Sequence, residues 1–184
     1  MRMKKAVLTI GILFLITMLS GCGKNKAKAV SNSENIEKLS PGTYIDNGIS
    51  TFNITDNISG NSDILYLDKD SIMLTLGLSE RIPNDEERDV YRKAAEELDL
   101  LFDEGGKSLI LYNDKHDIYL YINGDMYLLD QEPRFLESPV IEKDGKIQIP
   151  FSSVMFAAGY TGYTQDKNQD VTVYRLQKEA EGEE

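Results

Sequence analysis

The chain has 184 residues and a formal net charge of −11, with one cysteine, one histidine and no tryptophan. That length suits one domain with appendages. So acidic a chain does not neutralise phosphates, which excludes nucleic acid as an expected partner, and a lone cysteine leaves no intramolecular disulfide.

Arg2, Lys4 and Lys5 give the amino terminus a positive charge, and Ala6–Leu19 is an uncharged run of fourteen residues. At about 1.5 Å per residue, a helix of that length falls short of a ~30 Å hydrocarbon core. The segment therefore reads as a signal peptide over residues 1–21 and not as a membrane span. It ends on Leu19-Ser20-Gly21-Cys22, which resembles the lipobox of bacterial lipoproteins. That resemblance implies cleavage between Gly21 and Cys22 and acylation of Cys22 with palmitate-type chains. The expected location is the extracytoplasmic face of the cell membrane, with the lipid on Cys22 as the hold. Cleavage would remove Arg2, Lys4 and Lys5 and take the net charge from −11 to −14. Anionic headgroups repel such a chain. The acyl chains, at about 0.8 kcal/mol per buried methylene, must then do the anchoring.

Residues 22–43 are polar without apolar periodicity and read as a flexible tether. Residues 44–62 read as loop with one short strand. Ile64–Leu67 and Ile72–Leu78 read as strands around an Asp68-Lys69-Asp70 turn. Pro83 and Asn84 then start a helix, with Asp85, Glu86, Glu87 and Asp89 near its positive end. Val90, Tyr91, Ala94, Ala95 and Leu98 form its apolar stripe.

Period-two patterns follow. Leu100–Phe102 and Ser108–Tyr112 read as one hairpin. Asp117–Ile122 and Met126–Leu129 read as another around Asn123-Gly124, where both residues tolerate positive φ. Residues 130–144 read as loop with a short strand, and Lys146–Ile149 as a strand. A short helix follows, capped by Ser152 or Ser153 and ended by Gly159. Tyr160–Thr164 and Val171–Leu176 form a last hairpin. Residues 177–184 read as a disordered acidic tail. The expected fold is α+β: antiparallel β-hairpins packed with two helices.

Two segments share an order of features. One runs Ile82-Pro83, helix, Phe102-Asp103, then Leu109–Tyr112; the other runs Ile149-Pro150, helix, Tyr163, then Val171–Tyr174. This reads as a duplicated β-α-β-β unit whose halves share one core. Ile122-Asn123-Gly124, Gly145 to Pro150, Ala157-Ala158-Gly159 and Val171-Thr172-Val173 together resemble the copper amine oxidase N-terminal domain, or stalk domain. The domain would span residues 44–176. Phe151-Ser152 stands where the family often has Leu-Arg, and its Trp-Asp pair is replaced. The resemblance implies a non-catalytic accessory domain of Gram-positive cell envelopes.

The residues offer little catalytic chemistry. The copper domain of amine oxidases needs three histidines, and this chain has only His116. Sites built on imidazole or thiolate are thus excluded, and no cofactor is expected. His116 sits in a polar turn with no nucleophile in register. Asp166, Asn168 and Asp170 echo a calcium loop, but Val171 and Gln177 stand where Gly and Glu are required. They read as a hairpin turn with at most weak calcium binding. The carboxylates Asp85, Glu86, Glu87, Asp89, Glu96 and Glu97 read as a solvated helix face. Tyr119 and Tyr121 share one strand face, which is either core or a surface for a sugar or protein. The chain is expected to be no enzyme. It reads as a binding or scaffolding module acting on an envelope protein or wall glycan. The alternatives are a small envelope hydrolase using carboxylates and a calcium-dependent adhesion module.

Overall fold

The computed structural model describes residues 28–31, 39–59 and 64–178. The expected signal peptide, its expected cleavage residues Gly21 and Cys22, and the chain from residue 179 onward lie outside the described residues. Among the described residues, no helix is long and apolar enough to cross a membrane.

The described strands form three sheets, with three α-helices. The first sheet has the order β1 (Lys28–Ser31), β3 (Thr51–Asn53), β2 (Gly42–Asp46), β14 (Val171–Lys178), β13 (Tyr160–Asn168). The second runs β11 (Ile141–Lys143), β12 (Lys146–Pro150), β5 (Tyr66–Asp68), β4 (Ile58–Ser59). The third runs β10 (Glu132–Phe135), β9 (Met126–Leu129), β8 (Asp117–Tyr121), β7 (Ser108–Tyr112), β6 (Ser79–Arg81). The helices are α1 (Lys69–Leu76), α2 (Asp85–Glu97) and α3 (Phe151–Ala157). This is an α+β fold of hairpins packed against helices, with one helix more than the sequence predicts.

The extra helix is α1, where a strand is expected. Asp68 is its N-cap: the carboxylate accepts the Ser71 amide at 2.9 Å. Gly77, at φ 68°, ends it, and its amide bonds Met73 O. The helix buries Ile72, Thr75 and Leu76 on one side. The expected strand at Leu100–Phe102 is absent for a related reason. Asp99 adopts φ 56°, and Leu100 donates back to Ala95 O at 2.8 Å. That closes α2 and turns the chain away. The partners of β7 are instead β6 and β8.

The folded part also starts earlier than the composition suggests. Lys28–Ser31, within the expected tether, pairs with β3. Gly42 and Thr43 open β2, which runs parallel to β14 from Val171↔Gly42 to Arg175↔Asp46. The Asn- and Ser-rich stretch around them hides Tyr44, Ile45, Phe52 and Ile54, all buried. At the other end, β14 continues through Lys178.

The duplication exists in a different phase. The units that match are β5-α1-β6-β7 and β12-α3-β13-β14. Each runs strand, helix, a glycine at positive φ (Gly77, Gly159), then an antiparallel strand pair. The units meet where β5 and β12 pair antiparallel, with Leu67 opposite Ile149. Both side chains are buried in one core that also takes Ile72, Leu111, Leu120 and Phe151. Helix α2 is an insertion between the two hairpin strands of the first unit.

That insertion gives the third sheet a second buried face. Leu109, Leu111, Ile118 and Leu120 point to the main core. Ile110, Tyr119, Tyr121, Met126 and Leu128 point the other way, beneath Tyr91 and Ala95 of α2. The hairpin joining β8 and β9 is present, but only Asn123 has positive φ, at 67°. Gly124 is required for a different reason. A Cβ there would lie 2.7 Å from the Tyr91 hydroxyl.

Candidate functional site

A cleft of about 520 Å³ opens between the amino-terminal end of α2, the β7–β8 turn and the β9–β10 turn. Its walls include Glu86, Glu87, Asp114, His116, Asp117 and Asp130. Helix α2 starts there because Asn84 and Glu87 form a reciprocal capping box. The Glu87 amide donates to Asn84 Oδ1 at 2.9 Å, and the Asn84 amide donates to Glu87 Oε2 at 2.8 Å. The β7–β8 turn is built on Asn113, whose Oδ1 accepts the Lys115 and His116 amides at 2.8 and 2.9 Å.

Three of the cleft carboxylates, Glu87, Asp117 and Asp130, are held by cations and amides. Arg81 grips Glu87 with both terminal nitrogens, at 2.9 Å (Nη1–Oε2) and 2.7 Å (Nη2–Oε1). The same guanidinium reaches Asp117 Oδ2 at 2.8 Å. The Arg81 bond holds the Glu87 carboxyl below its ordinary range, against desolvation and with help from the Asn84 amide. Asp130 Oδ2 lies 2.7 Å from His116 Nδ1, and its Oδ1 accepts the Asp117 amide at 2.8 Å. Desolvation acts to raise the Asp130 carboxyl, but the amide and the ring prevail and lower it.

The β9–β10 turn carries two non-glycine residues at positive φ, Asp130 at 52° and Gln131 at 72°. These angles suit a tight I′ turn, and the Asp130 carboxylate ties that turn to the neighbouring hairpin. Arg81 is the residue that sequence reasoning missed. It lies on a short polar strand with no motif around it. The expected helix carboxylates divide around it: Glu86 and Glu87 line the cleft. Asp89 and Glu96 pair with Arg92 on the exposed face, at 3.3 and 2.9 Å.

Several features bear on what chemistry this cleft offers. No serine, threonine or cysteine is among the described residues lining the cleft, so His116 has no nucleophile to activate there. A carboxyl acting as general acid needs a raised pKa. Glu87 and Asp130 are both shifted down. Among the described residues, no three metal-ligating side chains gather.

Of the other expected site residues, Tyr119 also lines the cleft, and the rest lie elsewhere. Tyr119 and Tyr121 share a face, as alternation predicts, but α2 covers it and leaves them 4% and 5% exposed. Tyr91 stacks on Tyr119 with centroids 4.9 Å apart and lies 5.4 Å from Tyr121. The Tyr121 hydroxyl accepts the Asp103 amide at 3.0 Å and donates to Asp103 O at 2.7 Å. The pair is thus a core layer and not an open surface for sugar. Asp166 and Asn168 lie on β13 and do not form a loop. Asp166 accepts Arg175 Nε at 2.7 Å, and Arg175 Nη1 also holds Asp46 at 2.5 Å. Asp170 alone is in the turn, where its carbonyl accepts the Gly42 amide at 2.9 Å. Ser152 and Ser153 do not cap α3; both bond Glu137.

Comparison of the chain with the models of known protein families, with curated proteins and with solved structures finds no match.

Proposed function

We propose that this chain is a lipoprotein of the cell envelope, anchored through Cys22, whose folded part is a non-catalytic binding or scaffolding module. The reading rests on the Leu19-to-Cys22 motif and on the stalk-like segments already named. The observation that carries its non-catalytic half is the bidentate Arg81–Glu87 pair at the mouth of the cleft. It ties off one of the carboxylates that line the cleft. The other acidic residues of the lining, Glu86 and Asp114, would then present negative charge to a cationic group on an envelope protein or wall component.

The test uses the full-length lipoprotein in mild detergent. Mixed with purified peptidoglycan and with envelope extract, it is expected to be retained without releasing soluble fragments. Fragment release that disappears in His116→Ala or Glu87→Gln would overturn the non-catalytic reading in favour of a carboxylate hydrolase. The anchor has its own test. Cys22→Ala is expected to leave the chain in the medium or as unprocessed precursor. A cleaved Cys22→Ala chain that still sediments with membranes would end the lipid proposal.

A further inference from the structure

The described sheets end on edges that are defended, with one exception. Edge β10 contains Pro133 and two charges, Glu132 and Arg134. Edges β6 and β11 are three residues each and carry Glu80-Arg81 and Glu142-Lys143. Edge β4 has two residues, and β1 has four and begins on Lys28. Prolines, charges and shortness are the usual means of keeping an edge from pairing.

Strand β13 uses almost none of them. It spans nine residues, lies at the end of its sheet, and is paired on one side only among the described residues. From Tyr160 to Gln165 it has neither charge nor proline. Thr161 and Thr164 are β-branched and Tyr163 is aromatic, which favours extended pairing. Residues 163–168 are exposed, so no layer of described residues covers either face. The one irregularity is a register shift between Tyr160 and Gly162. Beyond it the strand pairs regularly with β14 through Asn168↔Val171.

We propose that β13 is an interaction surface for a second copy of this chain, the two β13 strands pairing antiparallel about a twofold axis. The sequence of the edge supports a copy as the occupant. Asp166 and Lys167 are the only charges on β13, and both lie near its far end. With the axis at Tyr163, Thr164 or Gln165 they fall opposite the uncharged stretch Gly159–Thr164 of the other chain. No like charges meet, although each chain is acidic overall. Asp166 is in addition neutralised by Arg175 of its own chain. The pairing is isologous and closes after two copies, which joins two five-stranded sheets without leaving a growing end.

Disulfide trapping tests this directly. The full chain carrying Cys22→Ser is purified in mild detergent, so that each introduced thiol is the only one. Tyr163→Cys, Thr164→Cys and Gln165→Cys are oxidised in parallel with Arg134→Cys on the defended edge β10. One β13 position, that nearest the twofold axis, should give covalent dimer at roughly tenfold the yield of Arg134→Cys, because a disulfide needs closely opposed Cβ atoms. Thr164→Lys in the cysteine-free chain places like charges near the axis and should weaken self-association about fivefold by sedimentation. If all three β13 thiols cross-link no better than Arg134→Cys, or the cysteine-free chain sediments as a monomer at every concentration up to the millimolar range, the proposal fails.

Discussion

The two units, β5-α1-β6-β7 and β12-α3-β13-β14, begin alike and end differently. In both, a strand enters a short helix that closes on a left-handed glycine. In the second unit the hairpin follows at once, with Gln169 at φ 51° in its turn. In the first, residues 82–107 intervene and α2 folds back over the sheet. The consequence is a difference in burial. Strands β7 to β9 are covered on both faces, while β13 is exposed along most of its length. The insertion also builds the cleft, since Glu86 and Glu87 come from α2. One unit thus carries an extra aromatic layer and a cleft wall, and the other keeps an open edge.

The sharpest way to break this comparison is to remove one tyrosine from each unit. Tyr91 is 2% exposed, stacks on Tyr119 and donates to Met126 O at 3.0 Å. Tyr91→Ala is expected to cost about 3–5 kcal/mol in urea unfolding, as other buried aromatic truncations do. Tyr163 meets Tyr174 edge-on at 5.3 Å but is 40% exposed. Tyr163→Ala should cost about 1 kcal/mol. Equal losses would show that α2 adds no real second core.

Glycines make a finer comparison. A Cβ on Gly106 would fall 1.9 Å from the Tyr121 hydroxyl and 2.4 Å from its ring. Gly106→Ala must therefore push that ring out of the layer, and a loss of about 1–3 kcal/mol is expected. The nearest atom to a Cβ on Gly162 is 3.6 Å away, an ordinary contact. Gly162→Ala should be neutral or add about 0.5 kcal/mol, because alanine orders the strand more cheaply. Gly77 and Gly159 test what the units share. Both have positive φ, and neither has an atom within 4 Å of a Cβ. Alanine at either should cost about 1 kcal/mol, through backbone conformation alone. Costs that differ widely would argue that the two helix ends are not equivalent.

These contrasts also mark what was legible in the sequence. Helix α2 was, because Pro83 and Asn84 open it, acidic residues follow at its positive end, and a clean apolar stripe runs along it. Helix α1 was not. Ile72-Met73-Leu74-Thr75-Leu76 is nearly all apolar, and such a run shows no period that separates helix from buried strand. Its Asp68 cap is a residue type equally at home in a turn. Strand β6 was hidden because Ser79-Glu80-Arg81 is polar on both sides, as an edge strand can be. Pro83 and Pro150 put the repeat in one phase, whereas the glycines ending α1 and α3 mark the correspondence in the fold. For the site, the lone histidine and its turn were visible. Arg81, Glu87, Asp117 and Asp130 come from separate elements, and their convergence depends on how α2 folds back. The face shared by Tyr119 and Tyr121 followed from alternation; what covers it did not.

The smallest expected effect lies at the cleft, and its sign follows from the two lowered carboxyls. Glu87 and Asp130 have ordinary values of 4.5 and 3.8, and both sit lower in the folded chain. Below its ordinary value the unfolded chain binds the proton first, so each group favours the folded state at higher pH. That contribution is complete above about pH 5 and is lost as pH falls through the folded-state values. Both groups are partly solvated, with side chains 28% and 48% exposed, so the effect is screened by salt and small. Arg81→Met removes the bidentate partner of Glu87 but leaves the Asp117 amide and the His116 ring on Asp130. The urea midpoint measured from pH 3 to pH 6 should then rise less steeply than in the parent chain. Residual slope from Asp130 should remain, and His116→Ala should remove part of it. The opposite ordering, with His116→Ala flattening the curve and Arg81→Met leaving it unchanged, would place the electrostatic weight of the cleft on the hairpin turns. The α2 insertion would then lose its role as the wall that organises the site.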